Sequence, residues 1–475
     1  MSSVENGPMT CARPSRPISG GLEPTNTSHS DDDAGLEVYW ETGDPENPRN
    51  WSAAYRSFIV GAVSVSSACA ISYSTSYTPG ILGIKESFDI SSDTVVLLGL
   101  TTYMLGLVFG CLMFASLSEL YGRRPVYLIT TLAFACSLIP VALARNIHTI
   151  LVCRALGGFF GSATIAGGPG TINDVTSRRY RALAFSLWSL GAMTGSVIGP
   201  TFGGFVYQYL GWRWINWIIL CWAGVSAVAL FLSKETYEPA ILRARARKQQ
   251  EQTGDLRWWC RYDSPKVGWD LLRSHLVRPI IMANLYVGVI YATLFLCFVG
   301  YPIAFQEHRG LPPGIARLGY CGIGTGVVLA VLSEPIFLRR IIASHPRDPC
   351  SGQIALRPPS LPSAPTYTHW IYSILAGVPF GMGNTLIFIY SAHYLAGSYP
   401  ICAASAVAGN AMVRYVFAGA LPLAGARLYA SLGIAWTGTL LGLVEVALIP
   451  IPIVFYRYGW RVRRRSALLR ELVGV

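Results

Sequence analysis

Apolar residues in this chain are gathered into long uninterrupted blocks, not into the helical or alternating stripes that face a soluble core. A helix needs roughly 20 apolar residues to cross the hydrocarbon of a bilayer. Blocks of that size fall at 57–79, 95–115, 126–144, 149–172, 183–207, 214–232, 279–304, 316–338, 370–395, 401–423 and 432–456. The pattern predicts an all-α membrane protein of about eleven spans. The polar stretches divide it into a disordered tail over 1–50, a six-helix bundle over 51–232, a basic central loop over 233–278, a second helix bundle over 279–456 with a Pro-rich insert at 341–369, and a basic tail over 457–475.

Composition strengthens this reading: 52% of residues are hydrophobic and 13% charged, where a soluble domain is nearer a quarter charged. The net charge of +12 does not point to nucleic acid, because the basic residues lie in short segments between apolar blocks. Arg123-Arg124, Arg178-Arg179-Arg181, the central Arg243, Arg245, Arg247 and Lys248, Arg339-Arg340, and the tail Arg461, Arg463, Arg464 and Arg465 are the dense clusters. They predict cytoplasmic loops and a cytoplasmic N-terminus, with the acids Glu86, Asp89 and Asp93 on the opposite side. Asn26-Thr27-Ser28, formally a glycosylation acceptor, is then expected to stay unmodified. The eleven cysteines are scattered without metal or disulfide spacing and read as small buried residues.

Parity raises a difficulty, since two cytoplasmic termini require an even number of crossings. Within 341–369, His345, Pro346, Arg347, Asp348, Pro349, Arg357, Pro358, Pro359, Pro362 and Pro365 exclude a continuous helix in lipid. Either a crossing is missing there or the tail sits outside.

Several polar constellations carry mechanism. In Leu117-Ser-Glu119-Leu-Tyr-Gly122-Arg123-Arg124, Gly122 permits a tight turn, and both arginines can pair with Glu119 or with helix ends, as a gate component or as plain topology-setting charges. Gly191, Gly195, Gly199 and Gly203, with Pro200 and Gly204 beside them, leave one face of the fifth span as bare backbone, a packing seam, a hinge, or both. Arg154, followed by Gly157, Gly158 and Gly161, must face a partner or a watery cavity unless it snorkels to the interface. Arg414, four residues after Asn410, poses the same question in the second half. Glu445 is a carboxyl inside an apolar block, expected to be protonated unless paired, either as a proton site or as an interface-seeking residue. Asn284, Tyr286, Tyr291, Asn384 and Tyr390 are cavity candidates or packing residues. No Walker loop, zinc motif or Gly-x-Ser-x-Gly elbow is present, so no catalytic residue, metal or cofactor is expected and a gradient must supply the energy.

Together these residues resemble the major facilitator superfamily, specifically the fungal twelve-span drug:proton antiporters. Gly43-Asp-Pro-Glu-Asn-Pro-Arg-Asn-Trp51-Ser52 is similar to the segment before the first span in fungal members. Leu117 to Arg124 resembles the loop motif after span two, with Ala115 for its first Gly and Glu119 for its Asp. Arg154 to Gly158 resembles the fourth-span motif tied to proton coupling, and Gly195 to Gly204 the fifth-span motif of antiporting exporters. Lys234-Glu-Thr-Tyr-Glu-Pro239 resembles the segment after span six, so the likeness covers roughly 43–460. Leu332-Ser-Glu334 before Arg339-Arg340 faintly echoes Leu117-Ser-Glu119 before Arg123-Arg124.

The resemblance implies the major facilitator fold: two six-helix bundles around a midplane cavity, rocking between states open to either side. It also implies a monomer in the plasma membrane exchanging a small amphipathic substrate for protons. Two departures stand out. Phe298-Val-Gly-Tyr301-Pro302 lacks the carboxylate many relatives carry before that Tyr-Pro pair, and residues 341–369 stand where relatives have span nine. The second bundle is then one helix short, through a splicing or reading-frame error or a real deletion. The alternatives to an exporter are a facilitator-type importer, which the span-five motif opposes, and a non-transporting relic.

Overall fold

The computed structural model describes residues 36–177, 180–255, 257–262, 278–307, 309–344, 370–398, 403–448 and 450–451. The helices are α1 (Ala53–Thr75), α2 (Tyr77–Ser87), α3 (Asp93–Tyr121), α4 (Arg123–Ala142), α5 (Ile147–Val175), α6 (Arg181–Leu210), α7 (Trp212–Phe231), α8 (Glu238–Thr253), α9 (Arg278–Pro302), α10 (Pro313–Arg317), α11 (Tyr320–Ser344), α12 (Trp370–Ser398) and α13 (Ala403–Leu448). Eleven segments among the described residues are long and apolar enough to cross a bilayer, α13 supplying two of them, Val407–Gly425 and Arg427–Leu448. Gly433, at φ +74°, breaks that helix.

Local chemistry sets where the helices begin. Ser52 Oγ accepts from Tyr55 N–H at 3.3 Å and Asn146 Oδ1 from Thr149 N–H at 2.8 Å, capping α1 and α5. Gly122 (φ +101°) and Gly211 (φ +87°) turn the chain directly from α3 into α4 and from α6 into α7.

The first bundle comprises α1 and α3 to α7; the second comprises α9, α11, α12 and both halves of α13. Burial differs between spans: 83% of the apolar window of α1 is buried, against 33% for α7 and 22% for Arg427–Leu448, so the last two lie at the periphery. Parallel pairs form the heart of each bundle. In the first, added Cβ atoms at Gly106 and Gly110 would strike the Ala155 and Phe159 carbonyls, and one at Gly158 would strike Tyr103. In the second, Gly322 meets the Ile374 carbonyl, Gly326 that of Val378, and Gly381 that of Ile323. Numbers rise together in both sets, so α3 runs parallel to α5 and α11 to α12.

Two consecutive parallel spans require the chain to return across the membrane between them. α4 does this between α3 and α5. Between α11 and α12 stand residues 345–369, which lie outside the described residues. Gly300 packs on Tyr429 near the start of the last span, and Tyr286 clusters with Leu448 at its close, so Arg427–Leu448 runs back antiparallel to α9. The start of α1 and the close of Arg427–Leu448 therefore lie at the end of the molecule bearing the Gly122 turn. The parity fault therefore falls between α11 and α12, and among the described residues the second bundle has five spans to the first bundle's six.

Two expectations need correction. Residues 1–35 of the expected disordered tail lie outside the described residues, but 36–50 are folded. Val38 exchanges a backbone bond with Trp259 (3.0 Å) and is buried with Leu242, Ala246 and Cys260, while Asp44 meets Arg245 at 2.6 Å. Apolar Val38 and the carboxylate of Asp44 find partners on α8, which a disordered tail could not hold. The central loop is likewise partly α8, on which Arg243, Arg245, Arg247 and Lys248 lie. Arg178, Arg179, residues 263–277 and 345–369 and the tail 457–475 fall outside the described residues, as do the side chains of Arg339 and Arg340.

Candidate transport pathway

At the turn end of the first bundle, the Gly122 turn is built by a residue from a distant loop. Glu235 Oε1 accepts from Arg123 N–H at 2.9 Å and its Oε2 from Arg124 N–H at 3.0 Å, placing a carboxylate on the start of α4. A Cβ at position 122 would lie 2.6 Å from Glu235 Oε2, so glycine is required by space as well as by its positive φ. Arg123 is buried; its Nε reaches Asp174 at 3.3 Å, Nη1 donates to Ser118 Oγ at 2.7 Å, and its guanidinium lies 4.9 Å from the Tyr237 ring. Arg124 donates to the Phe231 carbonyl at the end of α7 (3.1 Å). Glu119 is buried within electrostatic reach of Arg123, and Asp174 is an ion-pair partner of that arginine. Residue types alone did not single out Asp174 or Glu235 as site residues. The signal available for Asp174 was its position two residues past the fourth apolar block, as the one acid of α5.

The glycine face of α6 lies on the backbone of α1 in four-residue steps. Cβ atoms added at Gly191, Gly195, Gly199 and Gly203 would meet Ser64, Ala68, Ser72 with Thr75, and Ser76 with Pro79. Ser72 Oγ donates to the Gly195 carbonyl at 2.9 Å across this contact. Pro200 is buried within the same helix. Gly204 belongs to a different surface, because Arg317 of α10 packs on it from the second bundle and reaches toward Thr78 (3.5 Å). Only 4% of Arg317 is exposed, and it was not among the sequence candidates.

Arg154 does not snorkel; it is 1% exposed. Its Nε donates to the Gly99 carbonyl at 2.7 Å and its Nη2 to those of Tyr73 and Ser74 at 3.3 Å. Tyr77, Tyr73 and Tyr103 surround it at 4.2, 4.6 and 5.2 Å from their ring centres. Gly158, one turn on, holds α5 against α3.

In the second bundle Arg414 is 2% exposed and lies 4.6 Å from the Phe388 ring, 5.1 Å from Tyr291 and 5.5 Å from Tyr415. One turn earlier, Asn410 donates to Asn284 Oδ1 at 2.9 Å, tying α13 to α9. Glu445 is also buried, with both carboxyl oxygens lacking a hydrogen-bond partner among the described residues. Tyr286 and Cys297 of α9 lie within its electrostatic reach.

The seam between the bundles is closed along its length. Thr101 donates to the Gly419 carbonyl at 3.0 Å, Trp188 stacks on Phe388 at 5.5 Å, and Phe185 meets the His393 ring at 5.6 Å. Two helical bundles, meeting along a seam that holds buried charge and glycine-lined contacts, define a polytopic membrane carrier of the major facilitator type. The profile described as Major Facilitator Superfamily matches residues 63–349, and the chain belongs to that superfamily. It is 34% identical over 460 residues to the MFS transporter prlG of a fungal species, covering 90% of this chain and 96% of prlG. Likewise it is 33% identical over 431 residues to the efflux pump FUBT of Fusarium oxysporum, covering 85% and 72% of the two chains. A solved structure of the proton:xylose symporter XylE has the same fold, with a TM-score of 0.63 at 16% identity over 86% of this chain and 96% of that one.

Proposed function

We propose that this protein exports a small amphipathic organic compound in exchange for protons, by alternately opening the seam to either side of the membrane. The direction rests on relatives such as FUBT, an efflux pump by name. The observation that carries the proton exchange is Glu445, a carboxyl inside a membrane helix whose two buried oxygens meet no donor among the described residues. Such a group is costly as an anion, and binding and releasing a proton is the chemistry that rewards its retention. The exchange stands on this carboxyl in a chain that lacks one before Tyr301-Pro302. Arg154 and the glycine seam act as the fixed frame against which the second bundle rocks, and Glu119, Gly122, Arg123 and Arg124 brace the turn end. Arg123, Arg124, Arg181, Arg243 and Arg245 share that end, which supports a cytoplasmic N-terminus in a monomer of the plasma membrane.

The test uses exporter-deficient yeast challenged with a panel of toxic compounds, and the purified chain in proteoliposomes carrying an imposed pH gradient. One proton crossing a gradient of one pH unit releases about 1.4 kcal/mol, which supports roughly tenfold substrate accumulation. Wild type is expected to accumulate substrate to that order and lose it when a protonophore is added. Glu445→Gln is expected to bind substrate and to equilibrate it without accumulation. Accumulation that survives collapse of the proton gradient would falsify the exchange, and full activity of Glu445→Gln would remove Glu445 from it.

A further inference from the structure

Arg414 stands apart from the other buried arginines in what surrounds it. It forms no ion pair or hydrogen bond with a described residue, and its buried Nε has no acceptor. Its neighbours are ring faces: Phe388 from α12, Tyr291 from α9 and Tyr415 from α13. A guanidinium offers five N–H donors in a planar fork that fits a carboxylate with two parallel bonds. Aromatic faces offset part of the loss of water, but they accept none of those bonds in the plane of the fork. A buried cation retained in this condition is short of an anion.

Its position says where that anion comes from. Phe388, which lies under Arg414, also stacks with Trp188 of the first bundle, so the charge lies at the seam that a rocking carrier opens. Ser196, on the α6 side, is a second buried polar group, its hydroxyl set beside the Tyr291 side chain. An unpaired cation and a buried hydroxyl therefore flank the same aromatic wall from opposite bundles. A ligand with acidic oxygens at one edge of a flat unsaturated body answers both, its oxygens on Arg414 and Ser196 and its ring among Tyr291, Phe388 and Trp188. A cationic drug would meet uncompensated positive charge there.

We infer that the substrate is an aromatic or conjugated weak organic acid, bound as its anion by Arg414. This rests on the transport reading above and names the class of compound that site takes.

The test measures binding by tryptophan fluorescence to the full-length purified chain, using benzoate, 1-naphthoate and 9-anthroate, with 1-naphthamide and 1-naphthylmethylammonium as neutral and cationic counterparts. At least one carboxylate is expected to bind about tenfold or more tighter than both counterparts. Arg414→Gln is expected to weaken carboxylate binding roughly 10- to 100-fold and erase the preference, with Arg414→Lys between the two. Should Arg414→Gln fail to fold, Ser196→Ala and the wild-type preference carry the test, Ser196→Ala being expected to weaken the carboxylate several-fold and leave the amide unchanged. Failure of all three carboxylates to bind, or equal binding of the amide or ammonium, overturns the inference. Gradient-driven export of a neutral or cationic probe without carboxylate binding overturns it and leaves the exporter standing. Arg414-dependent carboxylate binding without gradient-driven flux supports the anion site and counts against the exporter.

Discussion

The two bundles are built on the same parallel helix pair and diverge in what surrounds it. In the first, α3 and α5 close on Gly106, Gly110 and Gly158, and α4 returns the chain between them. In the second, α11 and α12 close on Gly322, Gly326 and Gly381 with the same carbonyl contacts. The segments linking the pairs, 122–146 and 345–369, are each 25 residues long. The second therefore has the length of a span without the composition of one, as its six prolines show. That favours replacement of the ninth span over deletion of residues, and the superfamily match ends at residue 349, inside this stretch.

The shared pair gives the largest expected effects. Gly158→Val drives side-chain atoms into the Tyr103 carbonyl, and Gly326→Val drives them into that of Val378. Backbone packed against backbone has no rotamer to yield, so the cost exceeds the ~1–3 kcal/mol of ordinary overpacking. Both variants are expected to lose the monodisperse peak in fluorescence-detected gel filtration. A tolerated Gly326→Val beside a lethal Gly158→Val would break the equivalence and show the second pair to be loosened by the absent helix.

The two intramembrane arginines divide the same way. Arg154 has three carbonyl acceptors and three tyrosine rings, so Arg154→Gln strands acceptors that lipid cannot satisfy, at on the order of 3–5 kcal/mol. Arg414 has rings and no oxygen, so Arg414→Gln removes an uncompensated charge and is expected to change stability by about 1 kcal/mol or less. Apparent melting in detergent without ligand separates them. A loss at Arg414 equal to that at Arg154 would mean that Arg414 is a structural node.

A smaller effect is expected where the first bundle turns. Gly122→Ala must hold a positive φ and displace Glu235 from the start of α4, while Glu235→Gln removes the anion and keeps one acceptor oxygen for one of the Arg123 and Arg124 amides, turning an NH2 toward the other. Losses of roughly 1–2 kcal/mol and about 1 kcal/mol respectively are expected in the same assay. The reverse order would show that charge, not backbone geometry, holds the turn.

Much of the architecture was legible because insertion into lipid is a property of each block by itself. The eleven apolar blocks coincide with the eleven spans among the described residues, and the parity fault drew attention to the stretch between α11 and α12, two helices that run parallel. Arg154 and Arg414 stood out for the same reason. What was not legible is pairwise. The acceptors of Arg154 are backbone carbonyls of residues 73, 74 and 99, which have no side-chain signature, so nothing separated it from Arg414. Glu235 was visible inside Lys234 to Pro239, but its work is done on a turn more than a hundred residues earlier. Arg317 reads as an ordinary edge charge until Gly204 of the other bundle is found beneath it. The folded stretch 36–50 did carry a signal, in Val38 and Trp40, that polar neighbours outweighed.

The smallest expected effect lies outside the membrane, where the segment before α1 is pinned to α8. Asp44 accepts from Arg245 Nη1 at 2.6 Å and, through Oδ1, from the Glu46 amide at 2.9 Å. The Arg245 hydrogen bond, aided by that amide, holds the Asp44 carboxyl below the ordinary carboxylate range. A carboxyl whose folded value is depressed adds stability above its unfolded value, near about 4, and loses it as pH falls through the folded one. The docked segment is therefore expected to be insensitive to pH from neutrality down to about 4 and to loosen below that. Limited proteolysis between residues 36 and 52 reads this directly, because cleavage needs the segment free. Arg245→Ala is expected to expose the site at neutral pH while the spans melt unchanged, since the contact ties a strap to a surface helix and not one bundle to the other. A lowered melting temperature in Arg245→Ala would instead make this strap part of the first bundle's stability, a support with no described counterpart in the second.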